Sequence, residues 1–195
     1  MSRRAVLVAA LLAAALAGCA GMPGAGTGPL VEPGARQVGD TLTVQAPIAW
    51  TQFRDRQRRA ELWTVNGPAL DAIYFYYGVR AGESLLPQRE GTTLPTVRAG
   101  MAAHEVQEFF ADSLTRSGAV RVQTDALRPA RLGTRDGFAF DLHYTSADGL
   151  DYQGFAQGVW HGERLVFMYF SAPVLHFYPS LAPAAQKLFA SAQLR

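Results

Sequence analysis

The stretch Leu70–Val79 (LDAIYFYYGV) constrains the fold more than any other part of the sequence. It is rich in aromatic residues, which favour strands, and the turn signal Asn66-Gly67-Pro68 precedes it. Apolar or aromatic side chains occupy both parities, and successive residues of a strand point to opposite faces. A strand with two apolar faces is typical of the middle of a sheet that is covered on both sides. The sequence therefore predicts a layered fold around a central strand.

Further strands are predicted from runs of alternating or continuous apolar residues. The last predicted strand, Arg164–Ala172, is apolar on both parities and is also expected to be central. Ile48–Phe53 is expected to be irregular, with Trp50 and Phe53 in the core. The predicted strands are Thr41–Ala46, Glu61–Val65, segments near Val120–Val122 and Arg131–Leu132, Phe138–Thr145, Leu150–Trp160 and Arg164–Ala172.

Two amphipathic helices accompany these strands. One covers about Ala102–Ser117, and the other closes the chain, with Ser180 as its N-cap and Pro183 in its first turn, where a missing N–H is tolerated. Consecutive strands that are joined by tight turns are antiparallel. We therefore expect an α+β fold in which helices sandwich an antiparallel sheet of about six to seven strands.

The only cysteine, Cys19, follows a positively charged start and an apolar run over Ala5–Ala17. These are the marks of a signal peptide, and the run is shorter than the roughly 20 residues of a spanning helix. Leu16-Ala17-Gly18-Cys19 resembles the bacterial lipobox, which implies a diacylglycerol on the sulfur and a further acyl chain such as palmitate. The alternative is an ordinary signal peptide with an accidental cysteine. By resemblance to bacterial sorting patterns, Ala20 favours the outer membrane, with the protein facing the periplasm.

This interpretation divides the chain into a signal peptide (1–18), a lipid-anchored flexible tether (19–40) and a single globular domain (41–195). The tether is rich in Gly and Pro, a composition that buries no core face. Lipidation uses the only thiol, so the domain is expected to fold without disulfides, which its length allows.

Charge and histidine spacing argue against several classes of function. Without Arg3 and Arg4 the 18 basic residues become 16, equal to the 16 acidic ones, so no nucleic-acid partner is expected. The histidines do not share the spacing of metal ligands, so no metal site is expected. No cofactor is expected either. The histidines are His104, His143, His161 and His176.

Two groups of residues are possible binding surfaces. Arginines crowd into a short segment that can contact anions or a partner, although nearby acidic residues favour a solvated, ion-paired loop. A stripe of tyrosines can line a ligand groove, because tyrosine has a polar tip on an apolar body, although core packing is the alternative. The residues are Arg54, Arg56, Arg58 and Arg59 for the first group, and Tyr74, Tyr76 and Tyr77 for the second.

Asp141 and His143 form the best titratable pair, because they share one face of a predicted strand. A general base that a carboxylate positions needs such proximity. Polar pairs of this spacing are nevertheless common on half-exposed strands. The sequence contains neither a Gly-x-Ser-x-Gly elbow nor a phosphate-binding loop, so an enzyme is not expected.

Over Thr41–Arg195 the sequence resembles small bacterial envelope lipoproteins, whose fold is similar to that of PsbP and of a Ran-binding import factor. The resemblance rests on structural motifs, and it does not identify any residue of this chain as catalytic. It implies a non-catalytic domain that binds or assembles an envelope protein partner. The alternatives are a carrier or sensor of an apolar small molecule and, more distantly, a hydrolase using Asp141 and His143. The motifs are Asp71–Val79, Met101 with Glu105 and Phe109, Gly137–Phe140, Asp148–Leu150 and Ala172–Pro173.

Overall fold

The computed structural model describes residues 28–88 and 91–195. Nearly half of these residues lie in strands, and two helices lie close to the positions that the amphipathic patterns predict. The elements are β1 (Leu30–Val31), β2 (Gly34–Val38), β3 (Leu42–Ala46), β4 (Trp50–Asp55), β5 (Ala60–Thr64), β6 (Ala72–Val79), α1 (Ala103–Arg116), β7 (Val120–Leu132), β8 (Arg135–Thr145), β9 (Asp151–His161), β10 (Arg164–Pro173), α2 (Phe177–Ala190) and β11 (Gln193–Leu194).

The strands form a large antiparallel sheet of eight strands in the order β1-β4-β5-β6-β10-β9-β8-β7, and a small sheet in the order β11-β3-β2. The predicted α+β fold, an antiparallel sheet sandwiched by helices, is confirmed. The large sheet exceeds the expected six to seven strands because β1 and β4 were not predicted. β6 and β10 pair with each other at its centre, as their two apolar faces indicate.

Alternate residues of the central strands pack into two separate cores. One parity, which includes Phe75, Met168 and Phe170, packs against α2 and the small sheet. The other parity, which includes Phe167 and Tyr169, packs against α1 and the segment between β6 and α1. Because neighbouring residues of a strand point to opposite faces, both faces of the sheet are covered.

The prediction that Ile48–Phe53 is irregular is wrong, because Trp50–Asp55 forms β4 and pairs with β5. Trp50 and Gln52 point inward, and both are buried. A polar Gln at an inward position hides the alternation from sequence reading. Gln52 is tolerated there because its amide donates a hydrogen bond to the carboxylate of Glu61.

The predicted boundary between tether and domain also differs from the structure. Leu30–Val31 joins β4 at the edge of the large sheet, and Gly34–Val38 pairs with β3. Val31 and Val38 are buried in the core on the α2 side. The folded domain thus begins before residue 41, because these apolar residues bury enough surface to order a Gly- and Pro-rich segment. The signal peptide and Cys19 lie outside the described residues.

The last helix begins earlier than predicted. Its N-cap is His176 and not Ser180, so Pro183 lies inside the helix, beyond the first turn. The hydroxyl of Ser180 instead donates a hydrogen bond to the carbonyl oxygen of His176, with the two oxygens 2.6 Å apart. Phe177 and Tyr178 pack against the core, which extends the helix toward the chain reversal that follows β10.

Candidate functional site

Two of the three predicted groove tyrosines belong to an aromatic cluster under α1. Tyr74 of β6 lies directly opposite Tyr169 of β10, and their rings stack with centroids 4.5 Å apart. Tyr76 lies on the same face, with its ring 6.4 Å from that of Tyr169. Cross-strand aromatic pairs of this kind stabilise a sheet. The cluster is thus both a part of the core and a possible lining for a ligand.

A cavity of about 330 Å³ opens beside this cluster, between the end of α1 and the turn from β8 to β9. Tyr74, Tyr144 and Tyr169 form its aromatic wall, and Leu86 and Leu114 add aliphatic surface. The hydroxyl oxygen of Tyr144 lies 3.1 Å from Oγ of Ser171.

Burial controls the charge state of these hydroxyls. It raises the pKa of Tyr74, Tyr76, Tyr144 and Tyr169 above the ordinary tyrosine value. An ordinary tyrosine hydroxyl is already neutral at neutral pH, and burial keeps these hydroxyls neutral to a higher pH. A small apolar molecule with one or two acceptor atoms suits such a lining.

A second cavity, of about 220 Å³, lies on the other side of Tyr74. Tyr74 and Pro87 belong to the linings of both cavities. The lining of the second cavity is mainly apolar and includes Phe53, Leu62 and Leu85.

The third predicted groove residue, Tyr77, is not part of this cluster. It belongs to the core on the opposite face, with α2 and the small sheet. The guanidinium carbon of Arg59 lies 5.9 Å from the centre of its ring. The three tyrosines of the predicted groove therefore lie on two different faces of the sheet, because successive residues of a strand point to opposite faces.

Most of the predicted arginine surface is engaged in ion pairs. Arg54 Nε lies 3.1 Å from an oxygen of the buried carboxylate of Glu61. Arg58 pairs with Asp55 at 3.5 Å, and Arg59 Nη2 lies 3.0 Å from an oxygen of Asp40. The remaining member, Arg56, is exposed. The segment is therefore closer to the ion-paired alternative than to an open anion-binding surface.

Asp141 and His143 share a cavity of about 370 Å³ beside α2. Asp141 nevertheless accepts its charged hydrogen bond from Arg128, with Arg128 Nη2 and Asp141 Oδ1 2.9 Å apart. The hydrogen bonds of the described residues do not join Asp141 to His143. The structure thus gives the carboxylate an arginine partner in place of the histidine that a catalytic dyad needs.

The four histidines lie in different parts of the fold, on α1, β8, the end of β9 and the turn before α2. Within residues 28–88 and 91–195, no three potential ligand side chains come together in a way that could hold a metal ion. The helices in this part of the chain are also too short or too polar to cross a membrane.

Exposed apolar side chains are concentrated at one end of the large sheet. Of the seven large ones among the described residues, Leu127 alone lies elsewhere. The other six lie at or next to the ends of strands. Antiparallel pairing places these strand ends at the same end of the large sheet. We call this set the apolar rim: Leu30, Val65, Val120, Leu150, Val174 and Leu175.

Leu175 projects furthest from the rim, with 83% of its surface exposed. Phe177 N donates a hydrogen bond to Leu175 O at 2.9 Å, which closes a three-residue turn around His176. His176 has φ 71° and ψ −59°, a γ-turn geometry that is rare and strained. Strain of this kind, of order 1–3 kcal/mol, persists only where the surrounding structure enforces it. The turn therefore holds an exposed leucine in a fixed position.

Sequence reasoning missed several residues of these surfaces. Tyr144 and Tyr169 were assigned to strands, but their meeting with Tyr74 depends on a strand register that the sequence does not give. Arg128 pairs with Ala139, and its approach to Asp141 depends on a bulge in β7 between Asp125 and Arg128. The rim was not predicted, because its members are distant in sequence and single exposed apolar residues are common.

No protein-family model matches the chain, and no curated protein matches it. Among solved structures, the chain is similar to cyanobacterial PsbP (CyanoP) from Synechocystis sp. PCC 6803. The TM-score is 0.54 at 9% sequence identity, over 91% of this chain and 99% of that chain. At this identity the likeness shows the fold alone, which is the PsbP-like fold that the sequence motifs indicate.

Two more distant likenesses are found. A protein from Bacteroides thetaiotaomicron has a TM-score of 0.47 and 13% identity over 87% of this chain, which spans 49% of that protein. LpqN, which is described as involved in cell envelope biogenesis of Mycobacterium tuberculosis, has a TM-score of 0.36 and 12% identity. That comparison covers 90% of this chain and 87% of LpqN.

Proposed function

We propose that this chain is a lipid-anchored, non-catalytic domain of the bacterial cell envelope that binds or assembles a partner protein through its apolar rim. On this proposal Cys19 carries the lipid in the outer membrane, and the domain faces the periplasm. The stretch from Cys19 to Gly28 spans at most about 30 Å when extended. The partner would therefore be a protein at, or close to, the membrane surface.

The observation that supports a binding role is that six of the seven large exposed apolar side chains of the described residues lie along one end of the large sheet, from β1 at one edge to β7 at the other. Scattered apolar residues on a surface are normal, but a concentrated set is typical of an interaction site. The strained turn that exposes Leu175 adds to this argument, because it fixes a large apolar side chain where no neighbour covers it. The pairing of Asp141 with Arg128 supports a role without catalysis.

Charging the rim tests this role. The double variant Leu150→Asp with Leu175→Asp should fold normally, because both side chains are exposed in the wild type. It should fail to rescue a deletion strain. Leu127→Asp is the matched control, since Leu127 is an exposed apolar residue outside the rim, and it should rescue. Rescue by the stably folded double variant would contradict the proposal.

The lipid anchor has a separate test. Cys19→Ser should release the protein from the membrane fraction, because the proposed attachment depends on the acylated sulfur. Membrane fractionation after a salt wash measures this. A Cys19→Ser protein that stays in the membrane pellet would contradict the anchor without bearing on the rim.

A second function, as a carrier or sensor of an apolar small molecule, is favoured by the cavity beside Tyr74, Tyr144 and Tyr169. Its size and its neutral hydroxyls suit a small ligand. Leu114→Trp would fill this cavity from α1. If the carrier function is correct, this variant loses ligand from the purified protein but keeps the partner.

A further inference from the structure

A cavity of about 470 Å³ lies at the end of the sheet opposite the apolar rim. The turn between β9 and β10 forms one wall, and the turn between β2 and β3 forms another. Three arginine side chains converge on it from different elements: Arg59, Arg164 and Arg195. Its other charged or titratable side chains are Asp40, Glu163, His161 and Tyr77.

A bulge in β6 brings two of these arginines together. Tyr77 pairs with Val166 and Val79 pairs with Leu165, so Gly78 is an extra residue in its strand. Gly78 has φ 143°, and a Cβ there would lie 3.3 Å from Arg59 Nε and 3.4 Å from Arg164 Cδ. Both arginine side chains therefore pack on the bare backbone of Gly78. Bulges of this kind are frequent beside functional sites, where they redirect side chains.

The carboxylates of the cavity compensate only part of this charge. Asp40 accepts hydrogen bonds from Arg59 Nη2 at 3.0 and 3.1 Å, which fixes that guanidinium. Within the described residues, Arg164 and Arg195 form no ion pair, and Glu163 is exposed. Arg164 and Arg195 therefore carry positive charge that no ion pair neutralises among the described residues, and such charge favours the binding of an anion.

Local strain and unsatisfied groups point to the same place. Arg59 has φ 52°, in the left-handed region that non-glycine residues rarely adopt. Arg59 Nε and His161 Nδ1 are buried and lack a hydrogen-bond partner in the part of the chain that the structure describes. Native structures leave few such atoms, and each one needs an explanation. Both residues line the cavity, so a ligand there would lie beside these two unpartnered groups.

We propose that this cavity binds a phosphate group, carried by a phosphorylated small molecule or by a lipid headgroup. Arginine matches phosphate oxygens with two parallel hydrogen bonds, and three arginines from separate elements surround the anion on several sides. The volume of about 470 Å³ lies within the range of small-molecule sites, so the ligand carries an organic group beside its phosphate. This site is independent of the rim and of the partner proposed for it.

Calorimetric titration of the purified full chain with sn-glycerol 3-phosphate tests the site. The wild type should bind one molecule saturably, and Arg164→Gln should weaken binding at least about tenfold, the effect of losing a charged hydrogen bond. Arg135→Gln is the matched control, because Arg135 is exposed at the same end but outside the cavity. Arg195→Gln, which removes a more exposed arginine, serves where Arg164→Gln fails to fold. Arg59→Lys keeps the positive charge but loses the planar guanidinium that can donate two parallel hydrogen bonds, and it should also weaken binding.

A second titration separates the two sources of phosphate. Vesicles of phosphatidylcholine with and without phosphatidic acid are added to the complex with sn-glycerol 3-phosphate. If only the vesicles that contain phosphatidic acid displace sn-glycerol 3-phosphate, the natural ligand is a lipid headgroup. If neither kind of vesicle displaces it, the natural ligand is a soluble phosphorylated molecule. Two results would overturn the site: no saturable binding of either probe, or equal weakening by Arg164→Gln and Arg135→Gln, which would mean attraction by net charge.

Discussion

The backbone N–H of Gly39 donates a hydrogen bond to the carboxylate of Glu61, with Gly39 N and Glu61 Oε1 3.1 Å apart. Gly39 lies in the turn of the small sheet, and Glu61 lies on β5 of the large one. The same carboxylate accepts hydrogen bonds from Gln52 and Trp63 and pairs with Arg54. One buried acidic side chain therefore joins the two sheets and satisfies the polar groups around it.

Glu61→Ala should destabilise the protein by about 3–5 kcal/mol, because it leaves buried donors and the adjacent arginine without their acceptor. Urea unfolding followed by circular dichroism measures the change. Glu108→Ala, at an exposed position of α1, should change stability by less than about 0.5 kcal/mol. A Glu61→Ala protein within about 1 kcal/mol of the wild type would contradict this role for the carboxylate.

A chain that begins at Gly28 should unfold cooperatively at a higher temperature than one that begins at Asp40. The shorter chain loses β1 and β2, together with the buried Val31 and Val38. Each buried valine contributes about 1.5–3 kcal/mol, so the difference should be several kcal/mol. Thermal unfolding with and without reductant measures both chains. Equal midpoints would show that residues 28–39 add nothing to the domain.

The stability of the protein should fall steeply above pH 10. Burial raises the pKa of Tyr74, Tyr76, Tyr144 and Tyr169 above the ordinary value of 10.0, so the folded chain keeps protons that the unfolded chain releases. Stability is fully present below pH 10 and decreases above it by about 1.4 kcal/mol per pH unit for each such group. Lys187 is the only lysine in the sequence, so tyrosines dominate this range.

Tyr76→Phe isolates one member of this group, because phenylalanine keeps the ring but has no proton to lose. The slope of unfolding free energy against pH between 10 and 11.5 should become shallower by about 1.4 kcal/mol per pH unit. Urea unfolding at several pH values supplies the slope. An unchanged slope would show that Tyr76 ionises as readily in the folded chain as in the unfolded one.

Asp141→Asn combined with His143→Gln should leave the envelope function intact. The ion pair of Asp141 with Arg128 is partly exposed, so its loss should lower stability by no more than about 1 kcal/mol. Rescue of a deletion strain is measured beside the unfolding free energy. A stably folded double variant that does not rescue would favour the hydrolase alternative.

The sequence predicted the strands whose burial follows a simple pattern. β6 and β10 are apolar on both parities, and α1 repeats its apolar residues at helical spacing. β4 was missed because Gln52 occupies an inward position that only the distant Glu61 makes acceptable. β1 and β2 were missed because their few apolar residues lie in a Gly- and Pro-rich segment.

The candidate surfaces were harder to predict than the elements. Tyr74 and Tyr76 could be nominated from composition, but their stacking with Tyr169 follows from the register between β6 and β10. The apolar rim and the arginine cavity each assemble residues from several turns. Such sets become visible only when the order of the strands places those turns at the same end of the sheet.

Site-specific photo-cross-linking in living cells tests the rim as a partner surface most directly. A photoreactive residue in place of Leu175, and separately of Leu150, should link the lipidated protein to the same single protein. Leu150→Asp should weaken the capture through position 175. Arg135, at the opposite end of the sheet, is the control position and should give no product. Different products from the two rim positions, cross-links to lipid only, or the same product from Arg135 would contradict the account.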